Sequence, residues 1–148
     1  MSQRSGPFWE GMEGRAPMPP AAATLGLELI DADVEKGTIE LAFAAGDEFT
    51  NPSGNVLGAF IAAMLYDTVG PALLATLEPD QFQSTLQISV HFLRPLRPGR
   101  AIGRGRVVHR HGDLAQLEAT LLDSDGATIA TAAATAIVIP AEQARDAV

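Results

Sequence analysis

Between Asn51 and Leu77 the chain reads NPSGNVLGAFIAAMLYDTVGPALLATL, and two positions in it could do chemistry. Gly58, followed by Ala59, stands where a turn gives way to an apolar helix. Small residues at a helix start leave backbone N–H groups approachable. Those orphan donors, with the helix dipole behind them, suit an anion or a developing oxyanion. The second position is Asp67, the only ionisable carboxylate between Glu48 and Glu78. A carboxylate beside an apolar run needs a partner or a purpose. Gly58 and Asp67 are nine residues apart, about 13–14 Å along a helix that rises about 1.5 Å per residue. One helix cannot bring both to the same small group, whereas two antiparallel copies lying side by side in a dimer can.

The elements that must position these groups follow from pattern. Asn51, Pro52, Ser53, Gly54 and Asn55 are turn formers. Val56 to Leu65 is apolar on nearly every face, as expected of a central helix wrapped by the rest of a domain. Tyr66, Asp67 and a break at Gly70-Pro71 end the run too early for it to span a bilayer. Leu25 to Ala32 and Thr38 to Ala44 read as a hairpin across Asp33 to Gly37. After Pro71 a further turn or two of helix leads to Glu78-Pro79. In Ser84 to Phe92, Leu86, Ile88, Val90 and Phe92 alternate with Thr85, Gln87, Ser89 and His91. This predicts a strand with those two sets on opposite faces. Ala101 to Arg110, Leu114 to Leu122 and Thr128 to Ile139 are further strands, the last two joined by the Asp123-Ser124-Asp125-Gly126 turn. Two strands, a helix and four strands predict an α+β fold, with an antiparallel sheet curled around one long helix. Residues 1–22 read as an N-terminal arm with a helical turn around Phe8 to Met12, docked by Phe8 and Trp9. Residues 23–140 form the domain, and 141–148 a short polar tail.

The composition sets bounds. With 148 residues and 47 % hydrophobic content, one ordinary domain with a real core is expected. A net charge of −8 argues against general nucleic-acid binding. The absence of cysteine excludes disulfides and thiol catalysis. No apolar signal segment opens the chain, so a cytoplasmic protein without membrane attachment is expected. Six of the ten basic residues, Arg94, Arg97, Arg100, Arg104, Arg106 and Arg110, fall in a segment without Asp or Glu. Such a basic strip suits phosphate groups, although protection of an edge strand would also use it. His91, His109 and His111 do not form a metal-ligand constellation: His109 and His111 share a strand face but have no third ligand, so no metal is expected.

The layout, the string Asn51-x-x-Gly54-x-x-x-Gly58, the strand ending Phe92-Leu93-Arg94-Pro95, Pro98-Gly99 and the Asp125-Gly126 turn resemble the hotdog-fold thioesterases of the PaaI type. The resemblance runs from about Leu25 to Ile139. It implies a hotdog fold, a homodimer or homotetramer, and hydrolysis of acyl-CoA without a cofactor. In that family the motif continues as His-Gly-Gly, or with Gln for His, and an acid follows nine residues after the His. Here Leu57 stands at the His or Gln position, Gly58-Ala59 replaces Gly-Gly, and the acid position falls on Tyr66. Asp67 is adjacent, rotated by roughly 100° around the helix.

Carried onto this sequence, the resemblance gives Gly58 N–H the oxyanion and lets Asn51 orient the water or the thioester. Asp67 of the facing subunit, helped by Tyr66 and by Thr85 on the sheet, positions the water. The apolar helix start (Leu57, Phe60, Ile61) suggests an acyl group without a strongly polar end; Leu57, Ala59 and Phe60 are candidates for substrate contact, and Arg94 and Arg97 for the CoA phosphates. The rival reading is a hotdog protein that binds acyl-CoA without hydrolysing it, which Leu57 and Tyr66 favour. A second alternative is a hotdog hydratase or dehydratase, but this sequence has no suitably spaced Asp/His pair in the helix region.

Overall fold

The computed structural model describes residues 4–148. In chain order the elements are α1 (Pro7–Met12), α2 (Pro20–Thr24), β1 (Glu28–Asp33), β2 (Thr38–Ala45), α3 (Gly58–Leu74), β3 (Gln81–Phe92), β4 (Gly99–His111), β5 (Leu114–Leu122) and β6 (Thr128–Pro140). The strands form one six-stranded sheet in the order β1-β2-β4-β5-β6-β3, and every pairing is antiparallel. The sheet wraps α3, which packs on β2, β3, β4, β5 and β6. This is the α+β hotdog architecture that the resemblance implied.

The sheet seats the helix through two glycines of β4. A Cβ on Gly103 would overlap Thr68 Oγ1, and one on Gly105 would stand 2.9 Å from the Thr68 carbonyl oxygen. Thr68 is fully buried, and its hydroxyl donates back to the Met64 carbonyl (2.7 Å). The helix backbone therefore lies almost on the strand. Met64, Leu65, Val69 and Leu73 fill the space on either side, each with no exposed surface.

Three sequence expectations are corrected. First, Leu25 to Leu27 is not strand. The chain leaves α2 there and enters β1 only at Glu28, because Leu25 and Leu27 are buried as a turn whose N–H groups bond back to Ala21 and Ala22. Second, Gly70-Pro71 does not break the helix. Pro71 removes one intrahelical bond, but α3 continues to Leu74 with Val69 to Leu73 all buried, and that tertiary burial outweighs the local cost.

Third, Thr85 and Leu86 do not face as simple alternation requires. A β-bulge interrupts the β3–β6 register between Thr85 and Gln87. One extra residue reverses the alternation. Thr85 therefore turns inward at 6 % exposure, while Leu86 stands out at 58 %. Beyond the bulge Ile88 and Val90 return to the core side. At the other end of the chain, residues Ala141–Asp146 form 3-10 turns, and Val148 N–H donates to Ser84 Oγ (2.9 Å).

No helix among the described residues is long and apolar enough to cross a membrane. One face of α3 nevertheless stays uncovered. Ala59 is exposed, and Phe60, Ala62, Ala63, Tyr66 and Asp67 are only partly buried.

Candidate active site

The start of α3 is built by the turn before it. Asn51 Oδ1 accepts the N–H groups of Ser53 (2.9 Å) and Asn55 (3.1 Å), which explains locally why an asparagine stands there. Val56 N–H donates to the Leu96 carbonyl and Leu57 N–H to that of Phe49, both at 2.8 Å. Phe60 and Ile61 N–H turn back to the Leu57 carbonyl (2.9 and 3.3 Å). Between these pairs, the N–H groups of Gly58 and Ala59 have no partner among the described residues, and no side chain caps the helix. Two unspent donors at the positive end of a helix dipole form an oxyanion-binding arrangement. Gly58 also lets β3 come close, since a Cβ there would stand 3.3 Å from the Phe92 ring.

Nine residues on, the helix presents a different set of groups. Asp67 and Tyr66 line a largely apolar cavity of about 860 Å³, together with Gly70, Pro71, Leu74 and Gln83. No hydrogen bond or ion pair holds the Asp67 side chain among the described residues. Burial pushes its carboxyl from 3.8 up to about 6, because desolvation disfavours the charged form. The Tyr66 hydroxyl is buried and unpartnered, a costly condition unless something else binds there. Gln83, buried at 6 %, accepts a weak hydrogen bond from Thr85 Oγ1 (3.3 Å) on Oε1. Its amide nitrogen approaches the helix where Gly70 has no side chain. A desolvated carboxylate near neutrality, with neutral donors beside it, is suited to take a proton from water.

Within one chain the predicted site residues fall into two groups. Asn51, Leu57, Gly58, Ala59 and Phe60 gather at the start of α3, and Tyr66 and Asp67 lie along the helix beside the cavity. Thr85 belongs with the second group through Gln83. Leu57 is 44 % exposed and apolar where a hydrogen-bonding side chain was the expectation in relatives. Phe60 is stacked on Phe49 (ring centroids 4.3 Å apart), which fixes it to the core.

The basic strip is not one surface. Arg104 pairs with Glu40 (3.2 Å), Arg106 with Glu118 (2.9 Å), and Arg100 lies 3.9 Å from Glu28. The carboxylates missing from the arginine segment arrive from other strands, Glu40 and Glu118 directly opposite their arginines on the two strands that flank β4 and Glu28 from β1 beyond, so this part of the strip is a cross-strand ladder. Arg94 donates to the Thr128 carbonyl (2.8 Å). Arg97 is exposed, without an ion pair among the described residues, one position from the buried Leu96 that anchors the helix start.

Sequence reasoning missed Gln83 and Gly70. A polar residue early in a strand signals nothing until the bulge and the helix register place it inside.

The sequence model of the thioesterase superfamily matches residues 53–130. Among solved structures, a phenylacetic acid degradation-related protein from Ralstonia eutropha JMP134 is 38 % identical, with 88 % of this chain and 98 % of that one covered and a TM-score of 0.84. The PaaI protein from the phenylacetic acid degradation operon of E. coli is similar in fold at 15 % identity, covering 89 % and 93 %, with a TM-score of 0.78. So is a Streptococcus mutans UA159 protein bound to acetyl CoA, at 21 % identity, 77 % and 89 % coverage and a TM-score of 0.69. No curated protein sequence matches this one.

Proposed function

This chain belongs to the thioesterase superfamily, and from that premise we propose that it hydrolyses acyl-CoA thioesters as a two-fold dimer whose active sites each draw on both chains. The observation that carries the reading is the opposed run of α3 and β3. The helix start lies against Phe92 at the end of β3, and Gly70 lies against Gln83 near its beginning. β3 is also an open sheet edge, twelve residues long, with Leu86 and Phe92 exposed and Leu93 just beyond it. A long apolar edge of this kind calls for pairing. Antiparallel pairing with a second copy about a two-fold axis near Gln87 brings Phe92 of one chain beside Gln83 of the other. The Gly58 end of one helix then faces the Asp67 cavity of its twin, and the uncovered alanine face of α3 is covered.

In this arrangement the thioester carbonyl oxygen points at Gly58 N–H, with Ala59 N–H beside it. The Asp67 carboxylate of the facing chain takes a proton from water as the water oxygen attacks the carbonyl carbon. The tetrahedral oxyanion is held by the helix-start amides. Its collapse breaks the carbon–sulfur bond, and CoA leaves as the thiol after receiving the proton. Tyr66, Gln83 and Thr85 orient the water and the acyl carbonyl, while Asn51 shapes the turn that presents Gly58. Arg97, with Arg94 beside it, takes the CoA phosphates on the outer side of the helix start. The reading is supported by the S. mutans protein of similar fold, which is bound to acetyl CoA, itself a CoA thioester. The unit that carries this chemistry is the domain of residues 23–140.

Mixed dimers test it. Gly58→Pro removes the N–H at a position where proline suits a helix start, and the extended backbone of Leu57 (φ −59, ψ 137) tolerates a following proline. Asp67→Asn removes the base. Each variant alone is expected to be inactive towards acyl-CoA. A re-equilibrated mixture should recover about a quarter of wild-type activity, since half the dimers then hold one intact composite site of two. No recovery on mixing would overturn the shared site.

Leu57 favours a second reading, an acyl-CoA binder without turnover, because it gives the thioester no hydrogen bond. Tight binding of acyl-CoA with no thiol release by the wild type would select it.

A further inference from the structure

Resting on that reading, we infer that residues 5–20 form a hinged lid that closes the chamber beside Asp67 and sets the length of the apolar acyl group. One wall of the chamber is this arm, supplied by Phe8, Trp9, Met12 and Met18; the opposite wall is α3, from Tyr66 to Leu74. At about 860 Å³ the space is of the size that holds a whole small-molecule group, in a range of roughly 300–1,000 Å³. The only charged side chains lining it among the described residues are the carboxylates Glu10, Asp67 and Glu78. No cation is there to receive an anionic chain end, so the occupant is an uncharged hydrocarbon or aryl acyl group.

The way the arm is held points to a lid. Among the described residues, every hydrogen bond made by residues 4–18 stays within the arm. Glu10 N–H reaches Gly6, Arg15 and Ala16 N–H reach Glu10, and the Arg15 side chain reaches Arg4 and Glu13. None crosses to the sheet or to α3. The arm is a self-contained unit attached by side-chain packing. Trp9 is buried, meets Phe8 edge-on (5.0 Å) and carries Arg4 over its ring (4.2 Å). Pro17 and Pro19, with Pro20 opening α2, fix φ in the short segment that joins the arm to α2, so the arm moves as one body. A unit without hydrogen bonds to the body can swing off without leaving backbone groups of the sheet unpaired.

Trp9 is the only tryptophan in the chain, so its fluorescence reports occupancy without any need for turnover. Wild-type protein is titrated with S-alkyl-CoA thioethers, which cannot be hydrolysed, from two to twelve carbons. The expected result is a chain-length-dependent change in Trp9 emission, with affinity rising at least tenfold from the shortest to the longest chain that fits. In hydrolysis assays, removal of residues 1–18 should lower the ratio of kcat/KM for decanoyl- over acetyl-CoA at least tenfold. Ala144→Trp, which fills the chamber from the C-terminal turn and leaves the arm's own residues unchanged, should lower the same ratio if the truncated protein does not fold. Emission and selectivity that are indifferent to chain length and to both changes would overturn the lid. A Trp9 response with no thioester hydrolysis would uphold the lid while removing the thioesterase reading.

Discussion

Gly70 and Gln83 meet across the helix–sheet boundary: a Cβ on Gly70 would stand 3.0 Å from Gln83 Nε2. A glycine inside a helix costs about 0.5–1 kcal/mol against alanine, so local preference does not account for it. The space it leaves is where the amide of Gln83 enters the cavity of Asp67 and Tyr66. Gly70→Ala is therefore expected to leave the melting temperature within a few degrees of wild type, helix preference offsetting the tight contact. Its kcat/KM should fall about tenfold or more, as a displaced orienting group implies. Equal loss from Gln83→Ala, and no further loss in the double variant, would show that the two act as one.

Asp67 gives a prediction with opposite signs for stability and activity. Its carboxyl ionises at about 6 in the folded chain against 3.8 unfolded. Between those values the folded state binds the extra proton, so stability is highest below the lower one, falls as pH rises to about 6 and is flat above. At neutral pH the buried charge costs up to about 3 kcal/mol. Asp67→Asn should raise the melting temperature at pH 7 by several degrees and remove its dependence between pH 4 and about 6. The same change should lower kcat by ~10²–10⁴, the usual range for loss of a general base. In the wild type, kcat/KM should climb with pH to a plateau above about 6. A profile that keeps this limb in the Asn variant would assign it elsewhere.

Tyr66 separates binding from stability in another way. Its buried hydroxyl lacks a partner, so Tyr66→Phe should leave the unliganded protein as stable or more stable, by about 1 kcal/mol. If the hydroxyl meets the acyl carbonyl or the water, kcat/KM falls about tenfold. Denaturant unfolding and thioester hydrolysis on the same preparation decide both.

Arg97 is expected to read the nucleotide part of the substrate. Arg97→Ala should raise KM for acyl-CoA about tenfold, as loss of a charged hydrogen bond implies, with little change for acyl-pantetheine, which lacks the nucleotide phosphates. Arg104→Ala, which breaks only an exposed pair with Glu40, should change neither. Equal effects of Arg97→Ala on both substrates would remove the phosphate role.

Gly103 tests the seating of the helix. A Cβ there would overlap Thr68 Oγ1, and overpacking of this kind costs typically 1–3 kcal/mol. Gly103→Ala should destabilise by about that much, and Thr68→Ala in the same chain should restore part of the loss. Additive costs in thermal unfolding would mean that the clash is absorbed elsewhere.

Periodicity and turn chemistry are local, and the sequence by itself determined what depends on them: the Asn51 turn, a central helix placed within two residues of its observed start at Gly58, six strands, and an antiparallel sheet around that helix. The positions of Gly58 and Asp67 along one helix were equally legible, and it is their separation that motivates the proposal of a site shared between two copies. The tertiary structure decided whatever turns on packing against distant residues. Pro71 stays helical because the sheet buries it. A single bulge in β3 turns Thr85 inward and Leu86 outward, and no alternation in sequence reveals it. Gln83 reaches the cavity of Asp67 and Tyr66 past Gly70, thirteen positions earlier, which has no side chain to block it. The arginine strip reads as basic in sequence, yet its middle is neutralised by carboxylates on other strands. Coulombic and steric terms act between neighbours in space, and the chain order of the residues does not list those neighbours.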